Sequence, residues 1–186
     1  MTGIIEAGNV ASRRSFFSEE KFQQSYEDSI ADPNDFWATQ AMEFLTWQQT
    51  WSRVSRCNMA RGQIEWFLGG KLNASENCID RHLADKANRT AIIWEGDEPS
   101  DSKKITYRDL FEEVCKLANG LKSLGVKKGD RVCIYMPMIP EAAFAMLSCA
   151  RVGAIHSVVF GGFSPQALED RILDADCNFV ITANEG

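Results

Sequence analysis

The chain is predicted to be an α/β protein, a parallel β-sheet with flanking helices preceded by a mostly helical N-terminal extension. Three observations predict it. From residue 105 onward short apolar, strand-like runs alternate with helical periods, and strands joined through helices run parallel. The β-branched run from Ala154 to Phe160 stops at Gly161-Gly162, and Ser164-Pro165 then suit the N-cap and first position of a helix. Four of the five tryptophans, Trp37, Trp47, Trp51 and Trp66, fall before residue 67, where little alternation is visible. This divides the chain into a Trp-rich helical extension, 1–89, and an incomplete α/β portion, 90–186.

Residues 1–17 show no period. Ser18 to Ile30 reads as a helix, and Asp32-Pro33 opens a second with Asp as N-cap and Pro inside. Bulky aromatics without a local core pack on another body, so the tryptophans are expected to lean on the β/α unit that follows. Gln63 to Leu68 reads as a strand ending at Gly69-Gly70. Asn73-x-x-Glu76 resembles a capping box for a helix over Ala74 to Ala87, with Ile79 and Leu83 inward. Thr90 to Glu95 and Ile105 to Tyr107 are short strands of a loose hairpin.

Thr106 then caps a helix whose Leu110, Val114, Leu117, Leu121 and Leu124 step by four and three residues, one buried stripe, until Gly125. Arg131 to Met136 is a strand closed by Pro137. Pro140 starts a helix, Glu141 to Val152, so apolar that it must be covered on more than one face. The Ala154 to Phe160 run reads as a buried strand. A helix from Pro165 to about Ala175 and a strand from Asn178 to Thr182 complete the pattern.

Composition narrows the function. The net charge is -6, and residues 1–89 carry 10 basic and 12 acidic side chains, so no basic face is offered to nucleic acid or an anionic membrane. There is neither a leader pattern nor a run of about 18 apolar residues, and the expected location is cytoplasmic. The six cysteines lack a C-x-x-C pair and read as reduced core residues. His82 and His156 read as hydrogen-bonded structural residues. Glu112-Glu113 and Glu169-Asp170 read as solvated helix faces, and no catalytic or metal-ligating residue is assigned. Neither G-x-G-x-x-G nor a Walker loop is present.

The strongest local signal is the strand, Gly-Gly and helix start at 154–168. Ligands of such sheets sit beyond the carboxyl ends of strands, and glycines there let backbone and ligand approach closely and tolerate positive φ. The N–H groups ahead of Gln166 and Ala167 favour negative charge, a seat for a phosphorylated ligand. The competing reading is a tight strand-to-helix turn.

The residues themselves resemble a known family. Phe160-Gly161-Gly162-Phe163-Ser164-Pro165, Leu168-Glu169-Asp170-Arg171-Ile172 and Val180 to Gly186 are similar to the AMP-forming acetate–CoA ligases of the adenylate-forming superfamily. Asn77 to His82, Ile105 to Leu110, Gly129 to Val132 and Tyr135 to Glu141 resemble the same family in the same order. The resemblance implies a two-step reaction. Acetate attacks ATP to give acetyl-adenylate and pyrophosphate, and the CoA thiol then takes the acyl group and releases AMP, with Mg²⁺ accompanying ATP. It implies that Phe160, Gly161 and Gly162 lie along CoA, and that the rest of a synthetase packs on this segment. The phosphate loop, acetate pocket and adenylation lysine of that family are absent from the sequence, so the chain alone is expected not to turn over. Propionate or another short acid remains an alternative substrate, and a non-catalytic interaction module is an alternative of another class.

Overall fold

The structure is a computed structural model that describes residues 18–98 and 100–184. Residues 1–17, read above as lacking a period, and Glu185-Gly186 lie outside the described residues. The chain divides into two compact units, the first ending at Gly70 and the second starting at Lys71.

In the first unit, the Ser18 Oγ accepts from Lys21 N–H at 3.2 Å and opens α1, Glu19–Ala31. The Asp32 carboxylate accepts from Asp35 N–H at 3.0 Å and opens α2, Pro33–Phe44. Both caps follow from short polar side chains satisfying orphan N–H groups. Strands β1, Arg53–Asn58, and β2, Gln63–Leu68, form an antiparallel hairpin. The first strand, Arg-Val-Ser-Arg-Cys-Asn, has too little apolar alternation to announce itself.

Some of the aromatics stack on one another within this unit, while Trp37 and Trp66 remain 45% and 49% exposed. Trp47, Trp51 and Phe67 rings pack with centroids 4.9 to 5.4 Å apart. Trp47 Nε1 donates to Ala41 O at 2.9 Å, and a Cβ on Gly70 would come within 2.7 Å of the Trp47 ring. Only glycine admits that approach.

The second unit begins earlier than residue 90. Ile79 is fully buried with Leu110, Val114 and Phe144, so residues 71–89 pack on the β/α portion. The helix predicted over Ala74–Ala87 is broken into α3, Ala74–Cys78, a 3-10 turn, Asp80–His82, and α4, Leu83–Lys86. The break at Ile79 turns Asp80 onto Arg151, where the two form a bidentate pair at 2.6 and 2.8 Å.

Strands β3, Thr90–Glu95, and β4, Ser102–Thr106, pair antiparallel. Thr106 and Asp109 form a full capping box at the start of α5, Tyr107–Ser123. Of the predicted stripe Leu110, Val114 and Leu121 are buried and Leu117 is half-buried, while Ala118 beside it is buried. Leu124 lies beyond the last helical turn and is exposed, because the helix stops one residue before it.

The sheet itself is parallel, in the order β6-β5-β7, with β5 at Arg131–Met136, β6 at Ile155–Phe160 and β7 at Phe179–Thr182. Between them run α6, Pro140–Val152, and α7, Pro165–Asp174. Central β5 buries Val132, Cys133 and Ile134 among Leu121, Val126, Ala145 and Cys149. Helix α6 is covered by α3, α5 and the sheet, as its apolar surface demands.

One expectation about this sheet is overturned. Among the described residues β6 pairs only with β5, and only Val159 of it is buried; Ile155, Val158 and Phe160 are 57%, 54% and 60% exposed. An apolar β-branched run marks a strand suited to burial, and the partner that buries it is a separate matter. The cysteines divide similarly. Cys133 and Cys149 are core residues, whereas Cys57 and Cys78 are exposed. His82 packs its ring 5.1 Å from that of Tyr107, and His156 is exposed on β6.

Candidate binding site at the carboxyl end of the sheet

Three parallel strands end together at Met136, Phe160 and Thr182, and the backbone beyond them encloses a cavity of about 480 Å³. Its walls come from Tyr135 to Met138, from Phe160, Gly161 and Gly162, and from Thr182 to Asn184. The predicted residues Phe160, Gly161 and Gly162 are therefore together in one wall. Among the described residues no charged side chain lines the cavity.

The turn is held from β5. The Tyr135 hydroxyl donates to Gly161 O at 2.9 Å, with Phe163 O as a second acceptor at 3.2 Å. Neither Gly161 nor Gly162 has positive φ, so left-handed backbone is not why they are glycine. Space is the reason. A Cβ on Gly161 would meet Met136 O at 3.3 Å, and one on Gly162 would meet the Phe160 ring at 2.8 Å. The close approach that the sequence suggested toward a ligand is first an approach of the turn to the end of β5.

The helix start read above as a phosphate seat stands apart from this cavity. Ala167 N–H donates to Ser164 Oγ at 3.3 Å, and no residue of the first turn of α7 lines the cavity. Arg171 lies 4.5 Å from the Phe163 ring centroid and donates to Ala167 O at 2.9 Å. What the cavity presents is thioether, proline and phenyl surface with backbone amides and two short polar side chains, Thr182 and Asn184. Such a wall suits an uncharged, slender chain better than a phosphate.

Across Met136, Pro137, Met138 and Phe160 lies a second apolar cavity of about 470 Å³, roofed by Trp94 and backed by Val158. Trp94 Nε1 donates to Met138 O at 2.7 Å and steadies the shared wall. Sequence reasoning applied the strand-end rule to β6 alone. The same rule at Pro137 and Thr182 finds Tyr135 and the walls from β5 and β7. Glu112, Glu113, Glu169 and Asp170 are exposed on their helices. Among the described residues no three His, Cys, Asp or Glu side chains gather to hold a metal ion. No helix among them is long and apolar enough to cross a membrane.

Known proteins match the whole length of this arrangement. The family described as AMP-binding enzyme matches residues 79–186, and the one described as acetyl-coenzyme A synthetase N-terminus matches residues 22–78. Acetyl-coenzyme A synthetase 2 of Pseudomonas putida is 61% identical over 175 residues, covering 94% of this chain and 27% of that protein. Acetyl-coenzyme A synthetase of Alkalilimnicola ehrlichii is 57% identical over 185 residues, covering 100% of this chain and 29% of that protein. The chain thus spans between a quarter and a third of the length of these curated relatives. With more than half of its residues inside the first of those family matches, the chain belongs to the AMP-binding enzyme family.

Proposed function

We propose that the chain is the N-terminal segment of an acetate–CoA ligase that forms AMP. In the whole enzyme acetate displaces pyrophosphate from ATP, and the CoA thiol then displaces AMP from acetyl-adenylate. The observation that carries the reading is the wall formed by Phe160, Gly161 and Gly162 at the joined strand ends. It lacks charge and offers backbone amides, which suits the amide-bearing, uncharged arm that ends in the CoA thiol. The phosphates of CoA and ATP, and Mg²⁺, are then held by residues outside this wall. Adenylation rests on positioning and charge stabilisation, and this chain supplies neither a phosphate loop nor a catalytic lysine. Its work is to orient the thiol arm and to exclude water along it.

The unit that ends at Gly70 serves as a separate N-terminal element, and the remainder of a synthetase packs on the exposed side of β6, in the cytoplasm. Acetate is favoured over propionate by the names of the relatives.

The test is calorimetric titration of the 186-residue chain with pantetheine and with CoA. The expected result is similar weak affinity for both, abolished by valine at Gly161 and Gly162. Binding of CoA that pantetheine does not reproduce, or affinity indifferent to those valines, overturns the assignment of the wall. Acetate-dependent pyrophosphate release by the pure chain overturns the reading as a segment.

A further inference from the structure

A different cavity, of about 570 Å³, opens beside the turn that leads into β5. It lies at the amino end of the sheet, roughly 20 Å along β5 from the Gly161 turn at about 3.3 Å per residue. Lys122 from α5, Lys127 and Lys128 from the turn, Arg151 from α6 and Asn119 line it, and among the described residues no carboxylate does. In a chain of net charge -6 this is a local concentration of positive charge.

The ordinary explanation for lysines at helix C-termini is that they satisfy the last carbonyls. Here those carbonyls are already taken. In α5, Gly120 O accepts from Leu124 N–H, Leu121 O from Val126 N–H and Lys122 O from Gly125 N–H. In α6, Asn73 Nδ2 donates to Ala150 O and Arg151 O at 3.2 and 3.1 Å, and Cys149 O accepts from Ala154 N–H. Arg151 is neutralised by Asp80, but Lys122, Lys127 and Lys128 have no ion-pair partner among the described residues.

The lysines also stand on a fixed frame. Asp130 Oδ2 accepts from Lys127 N–H at 2.7 Å, and Gly129 N–H donates to Gly153 O at 2.9 Å. The Lys128 stem lies against Gly153, where a Cβ would meet its Cγ at 3.0 Å. Three unpaired ammonium groups, Lys122 on α5 and Lys127 and Lys128 on a braced turn, over a concave, half-apolar floor cost little to organise around an anion.

We propose that this cavity binds a small phosphorylated anion at a site separate from the strand-end cavity. Its volume is that of a small-molecule pocket, which favours a compact ligand over an extended acidic peptide. The test uses inorganic pyrophosphate as probe and amide chemical shifts of the 186-residue chain as readout. Saturable shifts are expected over residues 118–129 and 151–153, half-complete at or below about 1 mM. Raising salt from about 0.05 to about 0.5 M should weaken binding about tenfold. Each single Lys→Gln change should weaken binding several-fold, and K122Q/K127Q/K128Q should abolish it while the Gly161 and Gly162 signals stay in place. Shifts centred on the Gly161 turn, binding that survives the triple change, absence of saturation to 10-fold that concentration, or tighter binding of a glutamate-rich peptide would each overturn the proposal.

Discussion

The Tyr135 hydroxyl reaches from β5 to the carbonyl oxygen of Gly161 at 2.9 Å, tying the end of one strand to the turn that ends its neighbour. The bond runs from a central strand to an exposed turn, so it transmits the rigidity of the core to the wall of the cavity. Tyr135→Phe should keep the fold and lose about 1 kcal/mol of stability in denaturant unfolding. Amide hydrogen exchange at Gly161 to Phe163 should accelerate while that of Val132 to Ile134 stays unchanged. Equal exchange in the turn would show that the hydroxyl does not hold it.

The two glycines should respond differently to alanine. At Gly161 the new Cβ meets backbone, Met136 O at 3.3 Å, and the end of β5 must shift. At Gly162 it meets the rim of Phe160, an exposed ring that can turn aside. Gly161→Ala should therefore cost about 1 kcal/mol and Gly162→Ala less than half of that, measured by urea midpoints. A larger loss at Gly162 would contradict the geometry.

Arg151 and Asp80 form the most enclosed ion pair in the second unit, with side chains 18% and 32% exposed, and Arg151 also lies 5.2 Å from the Phe111 ring centroid. Asp80→Ala should destabilise by about 2 kcal/mol, because it leaves a half-buried guanidinium without its fork partner. Arg151→Lys keeps the charge and loses the bidentate geometry, and should recover only part of the stability. A double-mutant cycle of D80A and R151A should give an interaction of about 0.5–3 kcal/mol, as residues in direct contact do. Additive losses would show that the pair contributes little.

The cysteines should label in order of exposure. Burial pushes the Cys149 thiol up to about 11, while Cys57 and Cys78 are exposed. Iodoacetamide at pH 8, followed by peptide mass spectrometry, should modify Cys57 and Cys78 first and Cys149 only on unfolding. Because the folded pKa is raised, the folded state holds this proton longer than the unfolded chain. The associated stability is complete below the ordinary thiol range and declines as pH rises toward 11. Cys149→Ser should flatten that alkaline decline.

Asp109 has the opposite sign. Its hydrogen bonds with Thr106 hold its carboxylate below the ordinary range. Stability from the capping box is present above the unfolded pKa and is lost as pH falls through the lower folded value. Asp109→Asn should make the start of α5 less sensitive to acid, read from amide exchange at Arg108 to Leu110 between about pH 5 and pH 2.

The elements whose ends are written in local chemistry were legible in advance. Asp32, Thr106 and Ser164 each cap the helix they were expected to cap, and Ser18, read as the start of the first helix, is its cap. Strand β1 was not legible, because Arg53 to Asn58 gains its strand geometry from pairing with β2 and carries no apolar face of its own. The helix over Ala74 to Ala87 failed at Ile79 because the attraction of Asp80 to Arg151 comes from 71 residues away. In the site, the Gly-Gly turn was visible, but Tyr135 was not, since its hydrogen bond spans 26 residues.

Sequence alone determined the β/α rhythm, the caps, the strand-ending turn at Gly161 and the family likeness, since each depends on neighbours within one turn or on residue identity. Tertiary structure decided which strand is central, which apolar face stays open, and that the glycine turn borders a cavity lined by no charged side chain among the described residues. Those outcomes depend on what packs against what, and pairing and burial are properties of distant segments brought together rather than of any stretch read by itself.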